Sequence, residues 1–156
     1  FDKNDTLETI ANAPINDIKN IIRTIGSFNK KSVYIKEIAK ILVEKYNGVV
    51  PKDRDILETF PGVGRKTTNV FLSEFYNIPA IAVDTHVDRV SKRLRLARKN
   101  DNVKIIEQKL MKKLKKEEWA KRHLQLVLFG RYYCKAIKPS CSECKLQDIC
   151  IEKKKF

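Results

Sequence analysis

The sequence predicts an all-α fold, and three observations carry that expectation. Apolar residues recur at three- and four-residue spacing along nearly the whole chain. Strand-like stretches are confined to Val49-Val50 and the run from Ile78 to Val83, and both touch prolines. The five glycines stand where a helix should stop or pack closely. A chain of 156 residues suffices for one domain or two small lobes. At this size roughly 70% of the unfolded surface is buried without disulfide staples.

The elements follow in order. Asp5-Thr6-Leu7-Glu8 has the spacing of a helix-opening capping box. Ile15, Ile18, Ile21, Ile22 and Ile25 mark one face of a second helix, stopped by Gly26. Ile35, Ile38, Ala39, Leu42 and Tyr46 mark a third, ended by Asn47-Gly48 with Pro51 beyond. A short helix over Asp53 to Thr59 leads into a turn, and a new helix starts near Arg65. Its end near Asn77-Ile78-Pro79 is a soft boundary between an expected lobe 1–78 and an expected lobe 79–156. Thr85-His86-Val87-Asp88 opens the next helix, with Val87, Val90 and Leu94 inward. Residues 103–115 carry Ile106, Leu110 and Leu114 on one face. The last major helix runs from near Glu117 to near Gly130, with Trp119 and His123 as packing residues. The lysines at 109, 112, 113, 115 and 116 read as a solvated face, and Lys153-Lys154-Lys155 as a frayed tail.

Charge narrows the function. Lys and Arg number 33 against 19 Asp and Glu, a formal +14, which suits a polyanionic partner and above all nucleic acid. The longest apolar run is the six residues from Ile78 to Val83, so no membrane partner is expected. The first five residues carry two acids and no apolar block, which leads us to expect an intracellular protein. A start at Phe1 suggests a fragment or a processed chain.

Phe60-Pro61-Gly62-Val63-Gly64-Arg65-Lys66-Thr67 is the informative stretch of the first half. Two glycines one residue apart allow a tight hairpin whose N–H groups, with the start of the next helix, suit a phosphate. Val63 is expected to pin the loop into the core. A lone G-x-G is most often a plain turn; opening into Arg65-Lys66 on so basic a chain, it reads as a sequence-independent DNA backbone clamp.

All four cysteines, Cys134, Cys141, Cys144 and Cys150, fall in the last 23 residues with the spacing C-x6-C-x2-C-x5-C. Two disulfides are one reading, and a signal-free chain argues against it. Four thiolates within 17 residues point to one closed metal site. One C-x2-C knuckle with wider arms leaves zinc and an iron–sulfur cluster about equally open. Lys135 and Lys138, between the first two cysteines, are candidates for phosphate contact.

Hairpin and cysteines together resemble one family. The stretch from Leu57 to Val70, Leu-Glu-Thr-Phe-Pro-Gly-Val-Gly-Arg-Lys-Thr-Thr-Asn-Val, looks like the helix–hairpin–helix of endonuclease III, the bifunctional DNA glycosylase and abasic-site lyase. Ile81-Ala82-Val83-Asp84-Thr85-His86-Val87-Asp88-Arg89-Val90 is similar to the family's catalytic aspartate segment. The cysteine spacing is the one the family uses for a 4Fe–4S cluster.

The resemblance implies a helical-barrel lobe beside a cluster lobe, and duplex DNA with damaged bases or abasic sites as the partner of a monomer. It implies removal of oxidised pyrimidines, with Lys66 as the nucleophile that forms a Schiff base at the sugar C1′. It also implies Asp84 as the group that stabilises positive charge on the sugar, followed by β-elimination on the 3′ side. Gly62, Val63, Gly64, Arg65, Lys135 and Lys138 are the DNA contacts it suggests, and His86 a hydrogen-bonding support. Lys66 in the first turn of a helix beside Arg65 meets two influences that favour the neutral amine.

Two rivals remain at this level. One is a monofunctional or mismatch-directed glycosylase of the same superfamily, against which Lys66 stands; the other is a non-catalytic DNA-binding module stapled by metal. The family pattern also includes a further N-terminal segment that completes the barrel and wedges into the duplex. No counterpart precedes Phe1, so a truncated chain is expected, with base excision suffering more than lyase chemistry.

Overall fold

The computed structural model describes residues 6–152. It has eight α-helices among those residues and no strand. The chain divides into two compact units that adjoin in sequence at Gly64 and Arg65.

The first unit holds α1 (Leu7–Asn12), α2 (Ile15–Ile21), α3 (Phe28–Tyr46) and α4 (Arg54–Leu57). Thr6 caps α1, but its reciprocal partner is Thr9, with bonds of 3.2 and 3.1 Å, not Glu8; Asp5 of the expected box lies outside the described residues. Only Ile18 of the isoleucine face is buried in α2. That helix ends at Ile21, so Ile21 is 60% exposed and Ile25, beyond it, 45%. α3 is the long support on which α1 and α2 pack, and Ala39 and Leu42 are buried on it. It ends as expected, with Asn47 at φ 49° and Gly48 at φ 75°. Asp53 caps α4 by accepting from the Ile56 N–H at 3.0 Å. Phe60 is buried edge-on against Tyr46, with ring centroids 5.8 Å apart.

The second unit holds α5 (Arg65–Tyr76), α6 (Thr85–Arg93), α7 (Val103–Lys113) and α8 (Trp119–Leu128). Ile81, Val87, Ile106, Leu110 and Trp119 form its core. Burying each such side chain contributes roughly 1.5–3 kcal/mol. The run from Ile78 to Val83 is not a strand but a connector, exposed at Ile78 and buried from Ala80 to Val83. No neighbouring strand is there to take its polar groups, and Asn69 of α5 donates instead to the Ile81 carbonyl at 2.9 Å.

The last helix also departs from expectation. It does not stop near Gly130 but runs on through a wider helical turn, Phe129–Tyr133. Gly130 serves a close approach instead: a Cβ there would lie 2.8 Å from the His86 Cβ and 3.2 Å from its Cα on α6. Among the described residues no helix is long and apolar enough to cross a membrane.

Candidate active site and metal centre

Gly62 sits at φ +71°, and a Cβ on it would lie 2.3 Å from the Tyr34 ring, so the hairpin is built around a glycine at that point. Gly64 is exposed with open space around it. Val63 is half-buried rather than a core residue, and its N–H donates to the Phe60 carbonyl at 3.0 Å. The N–H groups of Gly62 and Gly64 have no acceptor among the described residues. They are the two donors of the hairpin left for an anion.

Directly after the hairpin the sequence enters α5, and its first two residues part company. The Arg65 guanidinium forks onto Glu107 of α7, at 2.8 and 2.7 Å. Glu107 is almost completely buried, its side chain only 6% exposed. Arg65 therefore fixes the first turn of α5. Lys66 is exposed and lines an open cleft of about 560 Å³ together with Asp84, Thr85, His86, Asp88 and Arg131. The structure thus brings Lys66 and Asp84, 18 positions apart, to one cleft.

Asp84 is the N-cap of α6. One carboxylate oxygen accepts from the N–H groups of both His86 and Val87 at 2.8 Å. The other has no partner among the described residues. His86 Nδ1 lies 3.2 Å from the Arg89 Nη2, which is only a donor, so Nδ1 accepts and the ring proton belongs at Nε2. The same guanidinium donates to the carbonyls of Gly130 (2.7 Å) and Cys134 (2.9 Å). That makes His86 a braced side chain, as its expected supporting role requires.

Sequence reasoning missed three residues here. Glu107 is 42 positions from Arg65, and no local pattern pairs them. Arg131 reaches the cleft only because the last helix continues past Gly130. His123 was expected only to pack; burial pushes its pKa down, while the nearby Asp84 carboxylate pulls it back up. Its Nδ1 is buried without a partner among the described residues.

Cys134, Cys141, Cys144 and Cys150 are all unpaired, half-buried, and line one small cavity. Four thiols around a cavity is the arrangement a polynuclear cluster needs. The donors around them fit that group: Arg93 Nη1 lies 3.3 Å from the Cys134 Sγ, and the Glu152 N–H 3.4 Å from the Cys150 Sγ. Burial pushes the Cys141 thiol up, and the other three cysteines add to the effect. Lys135 and Lys138 are exposed on the loop between the first two cysteines, with Lys138 at φ 49°. Arg93 pins the start of that loop at the Lys135 carbonyl, 2.8 Å away.

Comparison with known proteins follows this geometry. Residues 1–116 match the family described as the HhH-GPD superfamily base excision DNA repair protein. Residues 134–150 match the iron-sulfur binding domain of endonuclease III. The endonuclease III of Bacillus subtilis (strain 168) is 46% identical over 155 residues, which is 99% of this chain and 71% of that protein. The endonuclease III of Escherichia coli (strain K12) is 43% identical over 156 residues, 96% of this chain and 74% of that protein. A solved structure of a trapped endonuclease III–DNA covalent intermediate superposes with a TM-score of 0.94 at 47% identity, covering 99% of this chain and 73% of that one. A thermostable thymine-DNA glycosylase superposes at 0.82 with 26% identity, over 100% of this chain and 73% of that one.

Proposed function

The chain belongs to the endonuclease III family, and from that membership we propose that Lys66 and Asp84 carry its chemistry. It is a base-excision-repair DNA glycosylase and abasic-site lyase that acts on DNA and carries a 4Fe–4S cluster. The metal alternative of zinc falls with the match of residues 134–150 to the iron-sulfur domain.

The observation that carries the assignment is the shared cleft of Lys66 and Asp84. A flipped-out nucleotide brings its C1′ to the Lys66 amine. Attack at C1′ forms the C–N bond as the base departs, and loss of the ring C1′–O4′ bond leaves a Schiff base. Positive charge develops on the sugar in that step, and a carboxylate with one free oxygen is placed to oppose it. Removal of the C2′ proton then expels the 3′ phosphate by β-elimination. The lesions taken are oxidised pyrimidines and abasic sites, and the enzyme works as a monomer inside the cell. The related structure of a trapped covalent endonuclease III–DNA intermediate supports an amine nucleophile in this fold.

Backbone contact to the duplex comes from the N–H groups of Gly62 and Gly64 and from Lys135 and Lys138. Val63 and Arg65 serve by shape, Val63 closing the hairpin turn and Arg65 holding the helix start. The four cysteines hold the cluster, which stiffens the lysine-bearing loop.

The test is borohydride trapping on a duplex with one abasic site. The unsubstituted chain should form a covalent adduct, and Lys66→Ala should form none while keeping its fold, since Lys66 is exposed. An undiminished adduct from Lys66→Ala would remove Lys66 from the chemistry.

A further inference from the structure

A second pocket lies away from this chemistry. Lys92, Arg95, Arg98, Lys99, Lys109 and Lys113 line a cavity of about 530 Å³. Leu96, Ala97 and Ile151 complete its wall, and it shares no lining residue with the Lys66 cleft. α7 spans the distance between the two. Val103 at its start lines the cleft, whereas Lys109 and Lys113 line the pocket, about 9 and 15 Å further along the helix axis. One phosphate cannot serve both places.

The charges are under-compensated. Lys92 pairs with Asp88 at 2.8 Å and Lys109 with Asp101 at 2.5 Å. Lys109 and Arg98 hold the Asp101 carboxyl low. Arg95, Lys99 and Lys113 form no ion pair among the described residues, and no carboxylate lines the cavity. Helix C-termini attract cations, which accounts for Lys92 and Lys113. It does not account for Arg98 and Lys99, which stand in the loop between α6 and α7.

Two features show that this is more than a solvated face. Arg95 occupies the left-handed position after α6, at φ 60°, where glycine is usual. The Leu96 N–H closes that helix end on the Ser91 carbonyl at 2.8 Å. A charged side chain is thus kept at a strained backbone position. The chain after the last cysteine also returns here, the Ile151 N–H donating to the Arg93 carbonyl at 3.0 Å, and so builds one wall.

No aromatic ring, amide or carboxylate side chain lines the cavity; its polar side chains are all cations, a lining that suits phosphate oxygens. We propose that this pocket binds the phosphodiester backbone of a DNA segment other than the one held at the Lys66 cleft. The inference extends the DNA reading above and does not depend on which residues perform the chemistry. It gives the enzyme a second grip, on flanking duplex or on a neighbouring one.

The test uses the cluster-loaded protein. Arg98→Glu/Lys113→Glu is compared with Lys112→Glu/Lys115→Glu, a pair of exposed cations outside the pocket that makes the same change in charge. Binding to a long undamaged duplex is titrated across salt concentrations. Acylation of Lys99 and Lys113 is followed by mass spectrometry with that duplex or with inorganic tripolyphosphate.

The pocket pair should weaken duplex binding about tenfold and flatten the salt dependence by about two units of slope, while the outer pair does neither. The duplex should shield Lys99 and Lys113. Equal losses from both pairs would reduce the effect to bulk charge and overturn the site. So would shielding by tripolyphosphate without shielding by duplex, which would make free polyphosphate the ligand. Failure of the Lys66 reading shows separately, as the absence of a borohydride adduct on a short abasic duplex from the unsubstituted chain.

Discussion

The cleft and the cysteine loop belong to the same compact unit but are held in different ways. Around the cleft the lining side chains rest on buried structure. Val87 and Val90 lie fully buried on the helix that Asp84 caps, Asn69 fastens the connector, and the Arg65–Glu107 fork fixes the start of α5. From Cys134 to Glu152 no residue is fully buried, and Ile137, Ile149 and Ile151 are 81%, 53% and 47% exposed. That segment is held at its edges, by Arg89 and Arg93 on the carbonyls of Cys134 and Lys135 and by the Ser140 N–H on the Tyr133 carbonyl. Packing, one buried hydrogen bond and one ion pair therefore hold the cleft, whereas the cysteine loop owes its order to what the thiols bind.

Removing one thiol is the strongest way to break that contrast. Cys144→Ser should abolish iron retention and raise the rate of tryptic cleavage at Lys135 and Lys145 by about a hundredfold. The helical circular dichroism should stay close to that of the parent. Parallel loss of helicity would mean that the cluster supports the cleft as well.

Smaller effects sharpen the cleft side. Arg65→Ala strands the buried Glu107 carboxylate, and because the Arg65 side chain is itself 41% exposed we expect a loss of about 2–3 kcal/mol in urea unfolding, below the usual figure for a fully buried pair. Asn69→Ala leaves the Ile81 carbonyl without its donor; it should lower stability by about 1–2 kcal/mol and reduce adduct yield while iron content stays unchanged. His123 gives the mildest effect. Burial holds its folded pKa below the ordinary value, so as pH falls below about 6.5 the unfolded chain takes a proton that the folded chain refuses. Stability should fall on that acid limb, and His123→Gln should flatten it in denaturation curves taken across pH.

Local signals explain why much of this was visible in the sequence. The helix start at Thr85, the Asn47-Gly48 stop and the helix start at Arg65 are decided by neighbouring residues, and each stands where the pattern puts it. The position of Lys66 in the first turn of α5 was legible for the same reason, since it is counted from the hairpin. What stayed hidden depends on contacts across the fold. The isoleucines of α2 repeat at helical spacing, yet the helix ends before the face is complete. Gly130 carries the composition of a stop and is used for a close approach to His86, which only the path of α6 reveals. The fork of Arg65 onto Glu107, from a distant helix, has no local signal at all.

The cap on α6 has one more consequence. A single carboxylate both starts that helix and stands in the cleft, and the two duties use different oxygens. Asparagine caps a helix about as well as aspartate but carries no charge. On the role proposed for Asp84, Asp84→Asn should separate holding from cutting, leaving a sound molecule that still binds damage and does not cut it. In a cell that also makes the normal protein, such a copy obstructs rather than merely fails. Its inheritance would look dominant, from a change that costs the fold almost nothing.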